Sequence, residues 1–183
     1  MPPRAAPTFA PVEKVNAELF TLTYGAIVRQ LLVDHEEDTV AVNAQLEKMG
    51  YNMGTRLIDE FLAKTNTGKC KDFKDTAEVI GKVALKMFLG ITASVTNWNA
   101  DGTECSLVLD DNPMVDFVEL PGQYRELSYC NLLCGVFRGA LEMLNIRVET
   151  WFEKDMLRGD DVYEIRLKLL EVVPEEYPFK DDD

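Results

Sequence analysis

Apolar positions in the first third of the chain recur at three- and four-residue steps, the spacing that lines one side of an α-helix. From about Glu13 to Leu32 they are Leu19, Phe20, Leu22, Tyr24, Ile27, Val28, Leu31 and Leu32, more than a narrow stripe. The acidic break Asp34-His35-Glu36-Glu37-Asp38 ends that helix. A second helix, from about Thr39 to Ala63, carries Val42, Leu46, Met49, Met53, Leu57, Ile58, Phe61 and Leu62 at similar steps. Two broad apolar faces in succession predict a helical hairpin. After the loop Thr65-Asn66-Thr67-Gly68 the pattern predicts a third helix from about Asp72 to Leu89, with Gly90 as its stop.

The period then changes. Ala93 to Trp98 and Glu104 to Leu109 are short strand-like runs joined through Asn99-Ala100-Asp101-Gly102, whose Asp-Gly pair signals a hairpin. Pro113 and Pro121 punctuate the link from Asp110 to Arg125, in which Met114 to Leu120 reads either as a strand or as a docked loop. A fourth helix, about Leu127 to Leu144, is apolar almost all round and is expected to be buried on several sides. Two last strands, Arg147 to Glu153 and Val162 to Leu170, flank the turn-forming Leu157-Arg158-Gly159-Asp160-Asp161. Consecutive hairpins favour antiparallel pairing, so the expected fold is α/β of the α+β kind, with helices on one face of a roughly four-stranded antiparallel sheet. Residues 13–173 read as one domain, between a Pro-rich extension (1–12) and an acidic tail (174–183).

Composition narrows the functional classes. The 183 residues are 46% hydrophobic, enough for one core, and no window reaches the ~20 uninterrupted apolar residues of a membrane-spanning helix. A soluble, intracellular protein is expected. The net charge of −13 opposes phosphate backbones, which argues against nucleic acid as a partner. Four cysteines, Cys70, Cys105, Cys130 and Cys134, include no CxxC pair, and the only histidine, His35, is distant in sequence. Reduced thiols and no metal are therefore expected.

Cys70 is the most informative thiol. It lies between Lys69 and Lys71 just before a predicted helix, where cations and the positive helix end favour thiolate. From spacing alone, an ordinary, unmodified loop cysteine is the favoured reading. The helix that follows has small residues on one side, Ala77, Gly81 and Ala84, which suit either close packing or a narrow apolar groove. Gly50 with Gly54, and Gly135 with Gly139, are spaced four apart and read best as intramolecular helix contacts. The large apolar residues Leu22, Tyr24, Met49, Tyr51 and Met53 of the hairpin fit a thick core and a subunit interface equally well. Enzyme signatures are mostly absent: there is no GxxxxGK[ST], GxGxxG or GxSxG, and a cysteine hydrolase would have to recruit His35.

Several long words of this sequence carry a family resemblance. They are Glu18 to Ala26 (ELFTLTYGA), Lys48 to Asn52 (KMGYN), Arg56 to Ala63 (RLIDEFLA), Cys70 with Asp72-Phe73 and Thr76-Ala77, and Lys86 to Thr92 (KMFLGIT). Asn112-Pro113, Val115 to Pro121 (VDFVELP), Leu133 to Val136 (LCGV) and Arg138 to Met143 (RGALEM) continue the series. From about Val15 through Leu170 the chain closely resembles the Bet-three-type core subunits of the TRAPP (transport protein particle) vesicle-tethering complex.

That resemblance implies helices packed on an antiparallel sheet, and pairing through helices with related small TRAPP subunits, with homodimerisation of the isolated chain left open. It implies a non-enzymatic scaffold whose complex supports guanine nucleotide exchange on a Rab-type GTPase in ER-to-Golgi transport. Such a protein is cytoplasmic and peripheral at cis-Golgi and ER membranes, attached through the complex. The resemblance further implies palmitate as a thioester on Cys70, of unfixed occupancy, with Ala77, Ile80 and Ala84 lining an apolar acyl channel. A C-terminal segment containing Tyr177, Pro178, Phe179 and Asp181 is implied to contact the GTPase. The alternatives are a cysteine-dependent acyl-handling enzyme and a lipid carrier.

Overall fold

In the computed structural model the described residues are 14–174. Helix α1 (Ala17–Asp34) begins at Asn16, whose side-chain oxygen accepts from the Leu19 N–H at 2.9 Å. Helix α2 (Thr39–Lys64) begins at Asp38, which accepts from the N–H groups of Val40 and Ala41. Both caps satisfy donors that a helix start otherwise leaves unpaired. Both helices predicted from the apolar spacing are present, and α2 packs chiefly on α5 (Asn131–Glu142).

The third helical stretch is not continuous. It consists of α3 (Phe73–Val79), a π-helical turn at Ile80–Ala84, and α4 (Leu85–Phe88). In the π turn the Leu85 N–H reaches back to the Ile80 carbonyl. A residue inserted into the ladder leaves carbonyls to find other donors. The Gly81 carbonyl accepts from Ala93 N–H at 2.9 Å, which pins the lead-in of the sheet against the helix. A Cβ on Gly81 would stand 2.8 Å from the Ala93 oxygen, so the approach requires glycine.

The sheet has strands β1 (Ser94–Thr96), β2 (Glu104–Leu109), β3 (Ile146–Lys154) and β4 (Tyr163–Val172), in the order β1-β2-β4-β3 with every pair antiparallel. The central pair joins strands far apart in sequence, because α5 (Asn131–Glu142) crosses the sheet between β2 and β3. Cys105, Leu107 and Leu109 on β2 stand opposite Leu167, Ile165 and Tyr163 on β4, and all six are buried. These form the floor of the core, onto which α5 packs; the Thr150 hydroxyl donates to the Cys134 carbonyl at 2.9 Å. Met114–Leu120, which the sequence left between strand and loop, is a docked loop opening with a 3₁₀ turn at Pro113–Val115, and Met114 is buried.

Helices α2 and α5 cross through their glycines. A Cβ on Gly50 or Gly54 would meet the carbonyl oxygens of Leu132 or Val136 at 1.9 and 2.2 Å, and one on Gly135 or Gly139 would meet those of Glu47 or Tyr51 at 2.0 and 2.2 Å. The close approach is intramolecular, as the spacing suggested. Asn43 fastens the same crossing, donating to the Glu126 carbonyl at 2.9 Å and accepting from Ser128 N–H at 2.8 Å.

Candidate functional site

Between α2 and α3 the chain turns at residues 65–72. Thr65 closes α2 by donating through both its N–H and its hydroxyl to the Phe61 carbonyl, at 3.0 and 2.8 Å. Asp72 opens α3 by accepting from Asp75 N–H at 2.8 Å, and Asp75 in turn accepts from Lys71 N–H at 3.2 Å. Two capped helix ends thus hold Cys70 in a short, fixed segment, half-buried.

Behind this segment lies an apolar cavity of about 1000 Å³. That is at the upper end of the ~300–1000 Å³ usual for ligand sites. Cys70, Lys69 and Lys71 line it at the loop. Ile58 and Phe61 of α2, Val79, Ile80 and Ala84 of the α3–π stretch, and Val136, Phe137 and Ala140 of α5 form its walls. Leu144, Ile146, Val172 and Pro174 line the region where α5 ends and β4 leaves the sheet. Ile58, Phe61 and Val79 make a small cluster of their own, and Cys70 and Ala84 pack against it.

The π turn shapes this wall, since Ile80 and Ala84 both belong to it and both face the cavity. Ala77 does not. Grouped with those two in the sequence, it is not among the cavity-lining residues and is wholly buried in the main core. The α5 side chains were not singled out from sequence; the signal available was that α5 is apolar on nearly every side, so it serves the core and the cavity together. The contacts expected of Tyr177, Pro178, Phe179 and Asp181 fall outside the described residues, as does the extension 1–12.

The other three cysteines offer no comparable chemistry. All four are free thiols, but Cys105, Cys130 and Cys134 are buried. Burial pushes the Cys105 and Cys134 thiols up to about 12, and Cys130 is raised by the same cause. His35 ends α1 and is not among the residues lining the Cys70 cavity. Among the described residues no group of three His, Cys, Asp or Glu side chains could hold a metal, and no helix is long and apolar enough to cross a membrane. The site is therefore one partly accessible thiol at an apolar hollow.

Comparison with known proteins agrees with this geometry. Residues 20–168 match the family model described as transport protein particle (TRAPP) component. The chain is 55% identical over 171 residues to "Trafficking protein particle complex subunit 3" of Dictyostelium discoideum, spanning 93% of this chain and 91% of that protein. It is 49% identical over 171 residues to "Trafficking protein particle complex subunit BET3" of Saccharomyces cerevisiae, spanning 93% and 89%. Among solved structures, trafficking protein particle complex subunit 3 from Naegleria fowleri, crystallised covalently bound to palmitic acid, superposes with a TM-score of 0.85 at 56% identity. The match covers 89% of this chain and 100% of that one. The chain belongs to the TRAPP component family, as a Bet-three-type scaffold subunit and not an enzyme.

Proposed function

We propose that this chain is an acylated assembly subunit, in which Cys70 carries palmitate as a thioester and the acyl chain occupies the cavity behind it. The observation that carries this reading is that Cys70, Ile80 and Ala84 line one apolar cavity, whereas the remaining thiols are buried elsewhere. The Naegleria relative, covalently bound to palmitic acid, supports the same chemistry. An acyl-CoA donor would exchange its CoA thiol for the Cys70 sulfur, with no net redox change. Each CH₂ withdrawn from water contributes about 0.8 kcal/mol, so a long chain adds several kcal/mol to the fold after ordering losses. A chain held inside cannot also anchor a bilayer. Attachment to cis-Golgi and ER membranes then comes from the assembled complex, with the subunit on the cytoplasmic side.

The partners are related small TRAPP subunits. Leu19 and Leu22 of α1 and Val40 of α2 are exposed, apolar side chains that pairing would cover. In the complex the chain supports nucleotide exchange on a Rab-type GTPase and vesicle tethering, with Tyr177, Pro178, Phe179 and Asp181 of the tail reaching the GTPase. Co-expression of a Leu22→Glu, Val40→Glu variant with related small subunits tests the pairing: loss of co-purification is expected, and an intact complex would refute it. Deletion from Glu175 in a reconstituted complex tests the tail: slower GDP release is expected, and unchanged release removes the tail from the mechanism.

A further inference from the structure

Cys70 packs against the cluster of Ile58 and Phe61, in the last two turns of α2. Met53, which also lines the cavity, stands five and eight residues before them on the same helix. At 1.5 Å per residue the cavity therefore continues about 8–12 Å along α2 beyond the cluster that holds the thiol. Phe20 of α1 and the buried Met114 line it as well. The Thr21 hydroxyl, next in sequence to Phe20, donates to the Pro113 carbonyl at 2.9 Å, which fastens the start of α1 to the turn that contains Met114. Phe20 and Met53 are each 39% exposed although both line the cavity. Leu19, beside Phe20, is 66% exposed and does not line it.

We propose that Phe20 and Met53 form a wall shared by the acyl cavity and the subunit-pairing surface, so that an acyl chain on Cys70 tightens pairing with a related small subunit. The inference rests on the acylated-assembly reading and adds a coupling between its two halves. A ligand shifts a conformational equilibrium only by its differential affinity for the two states. Here the states are inward and outward positions of the two shared side chains. Protein interiors keep few voids, and methionine, unbranched and flexible, readily fills irregular gaps. In the unacylated chain Met53 and Phe20 therefore turn into the cavity and withdraw apolar area from the surface. An acyl chain fills that space and holds them outward, beside Leu19, where a partner buries them. The thioester itself need not touch the partner, because Cys70 packs with Ile58 and Phe61 and not with Met53. Coupling of this kind is reciprocal: the paired subunit also favours the acylated form.

The test titrates the full-length protein with each purified related small subunit of the same complex, in two forms: acylated, as verified by intact mass, and deacylated with hydroxylamine. Cys70→Ser, treated in the same way, controls for the reagent. The acylated form is expected to bind about five-fold more tightly or better, the lower bound of ordinary coupling between sites. Phe20→Ala should bring the two forms to one affinity. Leu19→Ala, outside the cavity, should weaken both forms by the same factor and keep their ratio. Equal affinities in the two parent forms, or tighter binding by the deacylated one, overturn the coupling and leave pairing standing. A ratio that survives Phe20→Ala overturns the shared wall. A parent chain without an acyl group, seen by mass before any titration, or no complex with either form, strikes the underlying reading and the coupling with it.

Discussion

The Leu132 carbonyl oxygen lies 1.9 Å from where a Cβ on Gly50 would stand, so the main chains of α2 and α5 touch at this point. The contact is backbone to backbone and cannot be relieved by a rotamer change. Gly50→Ala gains ~1 kcal/mol of helix propensity but forces the helices apart, an overpacking that costs roughly 1–3 kcal/mol or more. A net loss of stability in urea is expected. Gly68→Ala, where a Cβ would meet nothing within 4 Å, is expected to leave the urea midpoint nearly unchanged.

Ala84 and Ala77 separate the cavity from the core. In Ala84→Leu the larger side chain enters the space beside Cys70. The expected outcome is reduced acyl occupancy by intact mass with a largely preserved fold. Ala77→Leu overpacks a fully buried site and should lose about 1–3 kcal/mol of stability. Intact mass and thermal melting on both variants distinguish these outcomes.

Thiol reactivity should be selective. After hydroxylamine removes any thioester, iodoacetamide at pH 8 is expected to add once to the native protein, at Cys70, and four times in guanidinium. Burial keeps Cys105 and Cys134, both raised to about 12, as inaccessible thiols. Mass spectrometry of the native digest checks this, and modification of Cys105 or Cys134 at a rate like that of Cys70 would speak against it.

On the sheet face opposite the core, Ser106 donates to Glu164 at 2.5 Å, and this bond is the main reason the Glu164 carboxyl sits below its ordinary value of 4.5, with Asn97 assisting at 3.0 Å. Because the folded value is the lower one, the ionised group stabilises the fold above the unfolded value, and that contribution is lost as pH falls through the folded value. A hydrogen bond to a charged group is worth ~1.5–3 kcal/mol, so Ser106→Ala should lose about that much at pH 7. The gap between variant and parent should narrow at the acid end of a pH series of urea melts.

Much of the fold was legible in the sequence because its elements obey local periods. The apolar steps of α1 and α2, the Asp-Gly turn before β2 and the all-round apolar character of α5 each fix an element without reference to the rest. The π turn at Ile80–Ala84 was not legible, since it answers to a distant donor, Ala93 N–H, which only the assembled sheet brings to Gly81. Helical spacing alone places Ala77 beside Ile80 and Ala84 and does not tell a core position from a cavity-lining one. The central β2–β4 pairing joins segments separated by α5 and β3, a contact that no turn signal encodes. At the site, the thiol was visible from its neighbours Lys69 and Lys71 and from the family words, whereas the extent of the cavity, reaching Val172 and Pro174, depends on where several helices and a strand end meet.

Intact mass of the full-length protein purified from eukaryotic cells, before and after hydroxylamine, bears most directly on the acylated scaffold. The parent chain is expected to carry a palmitoyl-sized mass that hydroxylamine removes and that Cys70→Ser lacks. A parent chain with no hydroxylamine-sensitive mass, or a Cys70→Ser chain that retains it, would rule out Cys70 as the attachment point and leave the cavity without its proposed occupant.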